Sequence, residues 1–133
     1  MLFIYWLENH PQHAKRVDAI YSRMQERHDE LITSSFTFGE VLAGAYRAGA
    51  HQAAAESRRL LRSLVSEVVP FTVETADHYG RIRGISTFSP ADSIHLACAA
   101  HAGADLFLTN DDKLVGKFVP GIQFIASLNT QLF

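Results

Sequence analysis

The stretch from Ser89 to Leu114 constrains the fold most, because it has the pattern of one complete helix followed by one buried strand. Ser89 suits the N-cap of the helix, and Pro90 suits its first position, where the missing N–H costs nothing. Gly103 supplies the C-terminal stop. The apolar run Leu106–Leu108, bounded by polar residues, is typical of a strand covered on both faces. This stretch therefore predicts half of a helix–strand layered fold.

Short apolar runs alternate with helical patterns along the rest of the chain, which favours an α/β domain with a mainly parallel sheet. Further helices are predicted over 11–29, from Thr37 onward, over 51–66 and over 73–84, with a helical turn near 111–117. Further strands are predicted over 31–34, 68–71 and 122–125. A length of 133 residues with no visible linker indicates a single domain, 1–133.

The composition, 47% hydrophobic and 20% charged, is that of an ordinary soluble globular protein. The sequence contains no apolar run of the roughly 20 residues that a membrane span needs, and no signal peptide is visible, so the expected location is the cytoplasm. The single cysteine, Cys98, excludes an intramolecular disulfide and is expected to be a packed small hydrophobe rather than a nucleophile.

The formal net charge of −2 argues against a globally basic nucleic-acid binder. Nucleic-acid contacts would have to use local groups of cations, each of which is more simply a solvated helix face. These groups are Arg58, Arg59 and Arg62; Arg81 and Arg83; and Lys113 with Lys117.

Three acids fall where a parallel α/β sheet places its chemistry, at the carboxyl ends of strands and the helix starts that follow them. Glu40 follows the strand predicted at 31–34, and Asp92 lies in the first turn of the helix that begins at Pro90. Asp111 follows the strand at 105–108. We expect these three carboxylates to lie at one edge of the sheet.

Helix capping is the competing explanation for each acid. Thr37-x-x-Glu40 matches a capping box, and Ser89-x-x-Asp92 is a related form. Acids in a first turn also favour the helix dipole by roughly 0.3–1 kcal/mol. Asp111 has its own alternative, ending a strand or capping the following turn. The coincidence of all three acids at one edge is what favours a site.

Carboxylates that converge require a cation, because two of them about 5 Å apart repel by roughly 3 kcal/mol at an effective dielectric of about 20. All-oxygen ligands point to Mg²⁺ or Mn²⁺ rather than zinc. Such an ion can generate hydroxide and stabilise a phosphodiester transition state. His95 lies one turn after Asp92 and is expected to be a hydrogen-bonded structural histidine, with a place in the same crevice as the alternative.

Three motifs resemble the successive acidic motifs of PIN domains, and most closely those of the VapC-type toxins of bacterial toxin–antitoxin pairs. They are Phe36–Val41, Ser89–Ala97 and Leu108–Asp111, in that order along the chain. The resemblance implies a three-layer α/β/α sandwich and a Mg²⁺- or Mn²⁺-dependent endoribonuclease. It also implies a homodimer silenced by a cognate antitoxin protein.

The resemblance assigns catalytic and metal-binding roles to Glu40, Asp92 and Asp111, with Asp112 as a second choice for the last position. Family members open with a strand that ends in an Asp, and residues 1–8 resemble the segment after that strand. The first strand and first acid are therefore expected to be absent from this chain. Two neighbouring strands should then each lack a partner on one side.

Two alternatives to an active nuclease remain. The first is a catalytically impaired PIN-like domain that acts as a protein-binding, antitoxin-binding module, as a missing acid would favour. The second is a receiver-like phosphoacceptor domain, which also groups acids at strand ends. That class is disfavoured because two of the three acids, Glu40 and Asp92, are predicted in first helical turns rather than directly at strand ends.

Overall fold

A computed structural model describes Phe3 and residues 10–130, and in that part of the chain five helices alternate with four short strands. The elements are α1 Ala14–Arg27, β1 Ile32–Ser34, α2 Ser35–Arg47, α3 His51–Leu64, β2 Glu67–Val69, α4 Val73–Ile85, α5 Pro90–Ala102, β3 Leu106–Thr109 and β4 Phe124–Ser127. The predicted alternation of helices and strands is confirmed, with every predicted helix and strand in these residues found within a few positions.

The element boundaries differ from the sequence predictions for local reasons. Strand β2 ends at Val69, before Pro70, because proline has no N–H to give to a strand ladder. The segment 111–117, predicted as a helical turn, forms overlapping turns closed by bonds such as Leu114 N–H to the Asp111 carbonyl, without becoming a regular helix. The last strand begins two residues later than predicted, at Phe124, whose N–H donates to the Asp105 carbonyl.

The strands form two parallel pairs. Strand β1 pairs with β2, with Ser34 opposite Val69, and β3 pairs with β4, with Thr109 opposite Ser127. Among residues 10–130, β1 and β3 therefore each have one hydrogen-bonded neighbour. The residues expected to follow the family's first strand, 1–8, lie outside the described residues except for Phe3.

Helix α5 packs against both strand pairs. Four of its five buried residues, Ser93, Leu96, Ala97 and Ala100, recur at helical spacing and form one stripe, and Cys98 is buried outside it. Leu96, Ala97 and Ala100 belong to a hydrophobic cluster that includes Ile125 of β4, and the same helix contacts β1. One helix therefore connects two pairs of strands that, within residues 10–130, share no hydrogen bonds with each other.

The β3–β4 pair is covered on both faces. Phe107 packs on the α5 cluster, whereas the next residue, Leu108, packs on Val17 and Ile20 of α1. Successive side chains of a strand point to opposite faces, so α5 and α1 lie on opposite sides of this pair. The three-layer arrangement implied by the resemblance is present here, and the fold is α/β as predicted.

Gly121 marks a close approach between α5 and the segment that leads into β4. Its φ of 96° lies in the left-handed region, and a Cβ there would stand 3.0 Å from the Ala100 carbonyl oxygen. Only glycine meets both requirements, because other residues rarely adopt this φ and their Cβ would clash with backbone. The end of the β3–β4 connection is therefore fixed against α5.

We expect Leu96→Ala to lower the free energy of unfolding by about 2–5 kcal/mol, because Leu96 is fully buried and its loss leaves a cavity. Val73→Ala is the control, since Val73 is 84% exposed and should change stability by less than about 0.5 kcal/mol. Urea unfolding followed by circular dichroism measures both. Equal effects of the two substitutions would contradict the central position of α5.

Cys98 is buried, as predicted, and burial raises the pKa of its thiol to about 11. The thiolate is the reactive form, so a thiol reagent at pH 8 should label the native protein far more slowly than the urea-unfolded protein. Because the folded pKa is the higher one, the contribution to stability is present below the unfolded pKa of about 8.5 and is lost as pH rises towards 11. Labelling of native Cys98 as fast as that of a free thiol would contradict this burial.

Candidate functional site

Glu40 lies in the second turn of α2, not at a helix cap. The N-cap is Ser34, whose hydroxyl accepts a hydrogen bond from the Thr37 N–H at 3.3 Å. The predicted capping box between Thr37 and Glu40 is therefore wrong: Ser34, at the end of β1, starts the helix three residues earlier. The Glu40 carboxylate is not used to cap α2, so capping no longer explains its presence.

His95 connects Glu40 to the carboxyl end of β1. Its Nε2–H donates to Glu40 Oε1 at 2.7 Å, while its Nδ1 lies 2.8 Å from the Ser34 hydroxyl. A neutral ring accepts from Ser34 and donates to Glu40, and a protonated ring donates to both. In either state the imidazole holds one carboxylate oxygen in place. The prediction of a hydrogen-bonded histidine is confirmed.

The surroundings of His95 restrict the orientation of its ring. The ring of Phe36 packs against it with 5.3 Å between centroids, and the side chain of His95 is only 20% exposed. Glu40 is about one-third exposed, so its carboxylate reaches solvent beyond the histidine. The pair thus lies at the protein surface with its buried end anchored at Ser34.

Asp92 is the third residue of α5 and lies on the same helical side as His95, three residues on. Its backbone N–H donates to the Ser89 hydroxyl at 3.1 Å, which confirms the predicted N-cap, with Pro90 at the first position and Gly103 ending the helix at φ 69°. Within the described part of the chain, no hydrogen bond or ion pair engages the Asp92 carboxylate. His95 therefore shares one side of α5 with Asp92 and holds Glu40 of α2 by a hydrogen bond.

Asp111 directly follows the turn at the end of β3. Its Oδ1 accepts from the Lys113 N–H at 2.9 Å, and its own N–H donates to the Thr109 hydroxyl at 3.0 Å. The predicted alternative, that this acid caps the following turn, is thus part of the structure. Its carboxylate lies at the carboxyl end of the β3–β4 pair, whereas Glu40 and Asp92 are associated with β1 through His95.

Asp92 in the first turn of α5 and Asp111 after β3 occupy the predicted places. Glu40 was predicted in a first helical turn but lies in the second turn of α2, because Ser34 starts that helix earlier than expected. Across Phe3 and residues 10–130, no group of three or more His, Cys, Asp or Glu side chains is close enough to hold a metal ion. All three candidates carry oxygen donors, which are the ligands that Mg²⁺ and Mn²⁺ prefer. The donor chemistry therefore fits such an ion, and a shared site of Glu40, Asp92 and Asp111 stays a prediction.

Ser93 is a feature of this region that the sequence interpretation missed. Its side chain is fully buried, and its hydroxyl has no hydrogen-bond partner among the described residues. A buried hydroxyl without a partner costs about 1–3 kcal/mol. A serine in the otherwise apolar stripe of α5, directly after Asp92, is the signal that would have identified it.

A family model described as PIN domain matches residues 2–116. This match covers most of the chain, and the chain belongs to the PIN domain family. The fold is accordingly of nuclease type: PIN domains are commonly nucleases and usually bind a divalent metal. No curated protein and no solved structure matches the chain. Among the described helices, none is long and apolar enough to cross a bilayer.

We expect Ser34→Ala to lower the free energy of unfolding by about 1–2 kcal/mol, because it removes the cap of α2 and one hydrogen-bond partner of His95. The neighbouring Ser35 is exposed and is not the cap, so Ser35→Ala is the matched control and should have little effect. Denaturant unfolding gives the stabilities, and the NMR resonances of the His95 ring should move only in the Ser34 variant. Unchanged ring resonances would contradict the Ser34–His95 bond.

Proposed function

We propose that this chain is a Mg²⁺- or Mn²⁺-dependent endoribonuclease, the VapC-type toxin of a type II toxin–antitoxin system, that hydrolyses RNA phosphodiester bonds. The observation that carries the proposal is the hydrogen bond from His95 to Glu40, which brings an acid of α2 beside the first turns of α5, where Asp92 lies. Membership of the PIN domain family supports the nuclease activity.

Glu40, Asp92 and Asp111 are the residues that would hold the metal. When bound, the ion would activate a water molecule and offset the charge that develops on the phosphate. His95 keeps Glu40 Oε1 oriented, as hydrogen bonds to ligating carboxylates do in metal sites. Asp92 lies on a capped helix, so its Cα is held by the same element that connects the strand pairs.

The proposed partners are an RNA substrate, a cognate antitoxin protein and a second copy of the chain, and the proposed location is the cytoplasm. Exposed large apolar side chains support an interaction with other proteins, since isolated soluble surfaces rarely carry many of them close together. Tyr46 and Leu60 are about half exposed on α2 and α3, two helices that pack together.

Replacing Asp92 with Asn should abolish Mg²⁺-dependent RNA cleavage, because the amide keeps the shape of the side chain but loses the negative charge needed to bind the ion. Asp105→Asn is the matched control, since Asp105 is an exposed acid at the opposite, amino end of β3. Cleavage of a labelled single-stranded RNA in Mg²⁺ and in EDTA measures activity, and growth arrest on expression measures toxicity. Cleavage and toxicity unchanged in the Asp92 variant would refute the proposal.

A second candidate is a non-catalytic PIN domain that binds a protein partner. Two of the three carboxylates already have partners within the chain, since Glu40 accepts from His95 and Asp111 accepts from the Lys113 N–H. The same RNA assay distinguishes the candidates. Robust metal-dependent cleavage by the 133-residue chain excludes the second candidate. If the wild-type chain does not cleave RNA but binds the antitoxin, the second candidate is favoured.

A further inference from the structure

The protein has a surface cavity of about 450 Å³ that none of the three candidate acids lines. Its walls come from the end of α4, the connector 86–88 and the segment 117–120 that precedes β4, and they are mainly apolar. The apolar lining residues are Ile82, Ile85, Phe88, Phe118, Val119 and Pro120. This volume is in the range of about 300–1,000 Å³ that is usual for small-ligand sites.

The cavity lining lies close in the sequence to two of the candidate acids, Asp92 and Asp111. Phe88 directly precedes Ser89, the cap of the helix that carries Asp92. On the other wall, Lys117 ends the run of turns that Asp111 begins, with its N–H donating to the Leu114 carbonyl.

Hydrogen bonds fix the connector that forms one wall. Arg83 donates to the Phe88 carbonyl at 2.7 Å, and the Ser86 hydroxyl donates to the Ile82 carbonyl at 2.6 Å. Ile82 and Val119 are buried in the α5 cluster, with Phe88 packed against it. The cavity is thus a formed feature of the fold rather than a gap between loosely placed loops.

The lining of the cavity includes an exposed aromatic residue and a cation that are neighbours in the sequence. Phe118 is 81% exposed, an unusual placement for a phenylalanine, and Lys117 precedes it. Lys117 is the charged residue of the lining, no carboxylate lines the cavity, and within the described part of the chain no ion pair occupies this lysine. An exposed ring beside an uncompensated cation suits a ligand with a flat face and a negative charge.

We propose that this cavity binds a base of single-stranded RNA, stacked on Phe118, with the adjoining phosphate held by Lys117. The inference rests on the proposed ribonuclease function and adds a substrate-binding site beyond the acids. Stacking of bases on aromatic side chains and pairing of phosphates with lysine are the usual basis of single-strand recognition. An apolar peptide would fill the cavity but would leave Lys117 without a counterion, so the observations favour the nucleic acid.

The test measures binding of a fluorescein-labelled single-stranded RNA of about ten nucleotides in EDTA, where metal-dependent cleavage is blocked. We expect Phe118→Ala to weaken binding at least about fivefold. Lys117→Gln should weaken binding and reduce the dependence of log Kd on log salt by about 0.7, the value for one phosphate contact on a single strand.

Matched controls exist for both substitutions. Phe124 is also an exposed phenylalanine, 68% accessible, but it lies at the amino end of β4, away from the cavity. Lys15 is an exposed lysine on α1. Phe124→Ala and Lys15→Gln should leave RNA binding unchanged. All four positions are exposed, so the variants should fold, which circular dichroism checks.

Wild-type affinity in both Phe118→Ala and Lys117→Gln would overturn the subsite, even if cleavage still requires Asp92 and the proposed function stands. Loss of cleavage in Asp92→Asn with RNA binding retained, and loss of binding in the cavity variants, would support both proposals. A second copy of the chain is the competing occupant of the cavity, and sedimentation of the same variants tests it. If Phe118→Ala dissociates a dimer and leaves RNA binding unchanged, the cavity is a contact between two copies and the proposal is overturned.

Discussion

The packing of α5 against both pairs of strands is the interaction on which the rest of the structure depends. The two pairs share no hydrogen bonds in the described residues, so the ladder interactions that unify an ordinary sheet are replaced here by one helix. Its stripe of Leu96, Ala97 and Ala100 joins the cluster around Ile125, and its His95 reaches Ser34 at the end of β1. Apolar burial secures one pair, and a polar contact helps to position the other.

The same helix determines where the candidate acids lie. Asp92 is on its first turn, and His95 of the same helix holds Glu40. The positions of these two carboxylates therefore depend on α5. The position of Asp111 depends instead on β3, because its backbone N–H donates to the Thr109 hydroxyl. The relative position of the strand pairs therefore controls the distance between Asp111 and the other two acids. A functional metal site would require that distance to match the coordination sphere of a small, hard ion.

The features that could be predicted from the sequence are those encoded by neighbouring residues. The cap, first proline and terminal glycine of α5 all lie within one short stretch, and each was placed correctly. The start of α2 was misplaced because Ser34 and Thr37 are both good capping residues, and only the structure shows which hydroxyl faces the free N–H groups. The Glu40–His95 bond joins residues 55 positions apart, so no local spacing could reveal it.

The close approach at Gly121 has a consequence for how this surface can diversify. Residues 117–120 and the turn before them are exposed for most of their length, so their composition is free to change with little effect on the core. This freedom excludes Leu114 and Val119, which are buried in the α5 cluster. It also excludes Gly121, where a side chain would collide with the Ala100 carbonyl. The backbone is thus fixed at Gly121, whereas the exposed side chains before it can vary. Substitutions at the exposed positions 117, 118 and 120 can therefore change the wall of the cavity without changing where the cavity lies.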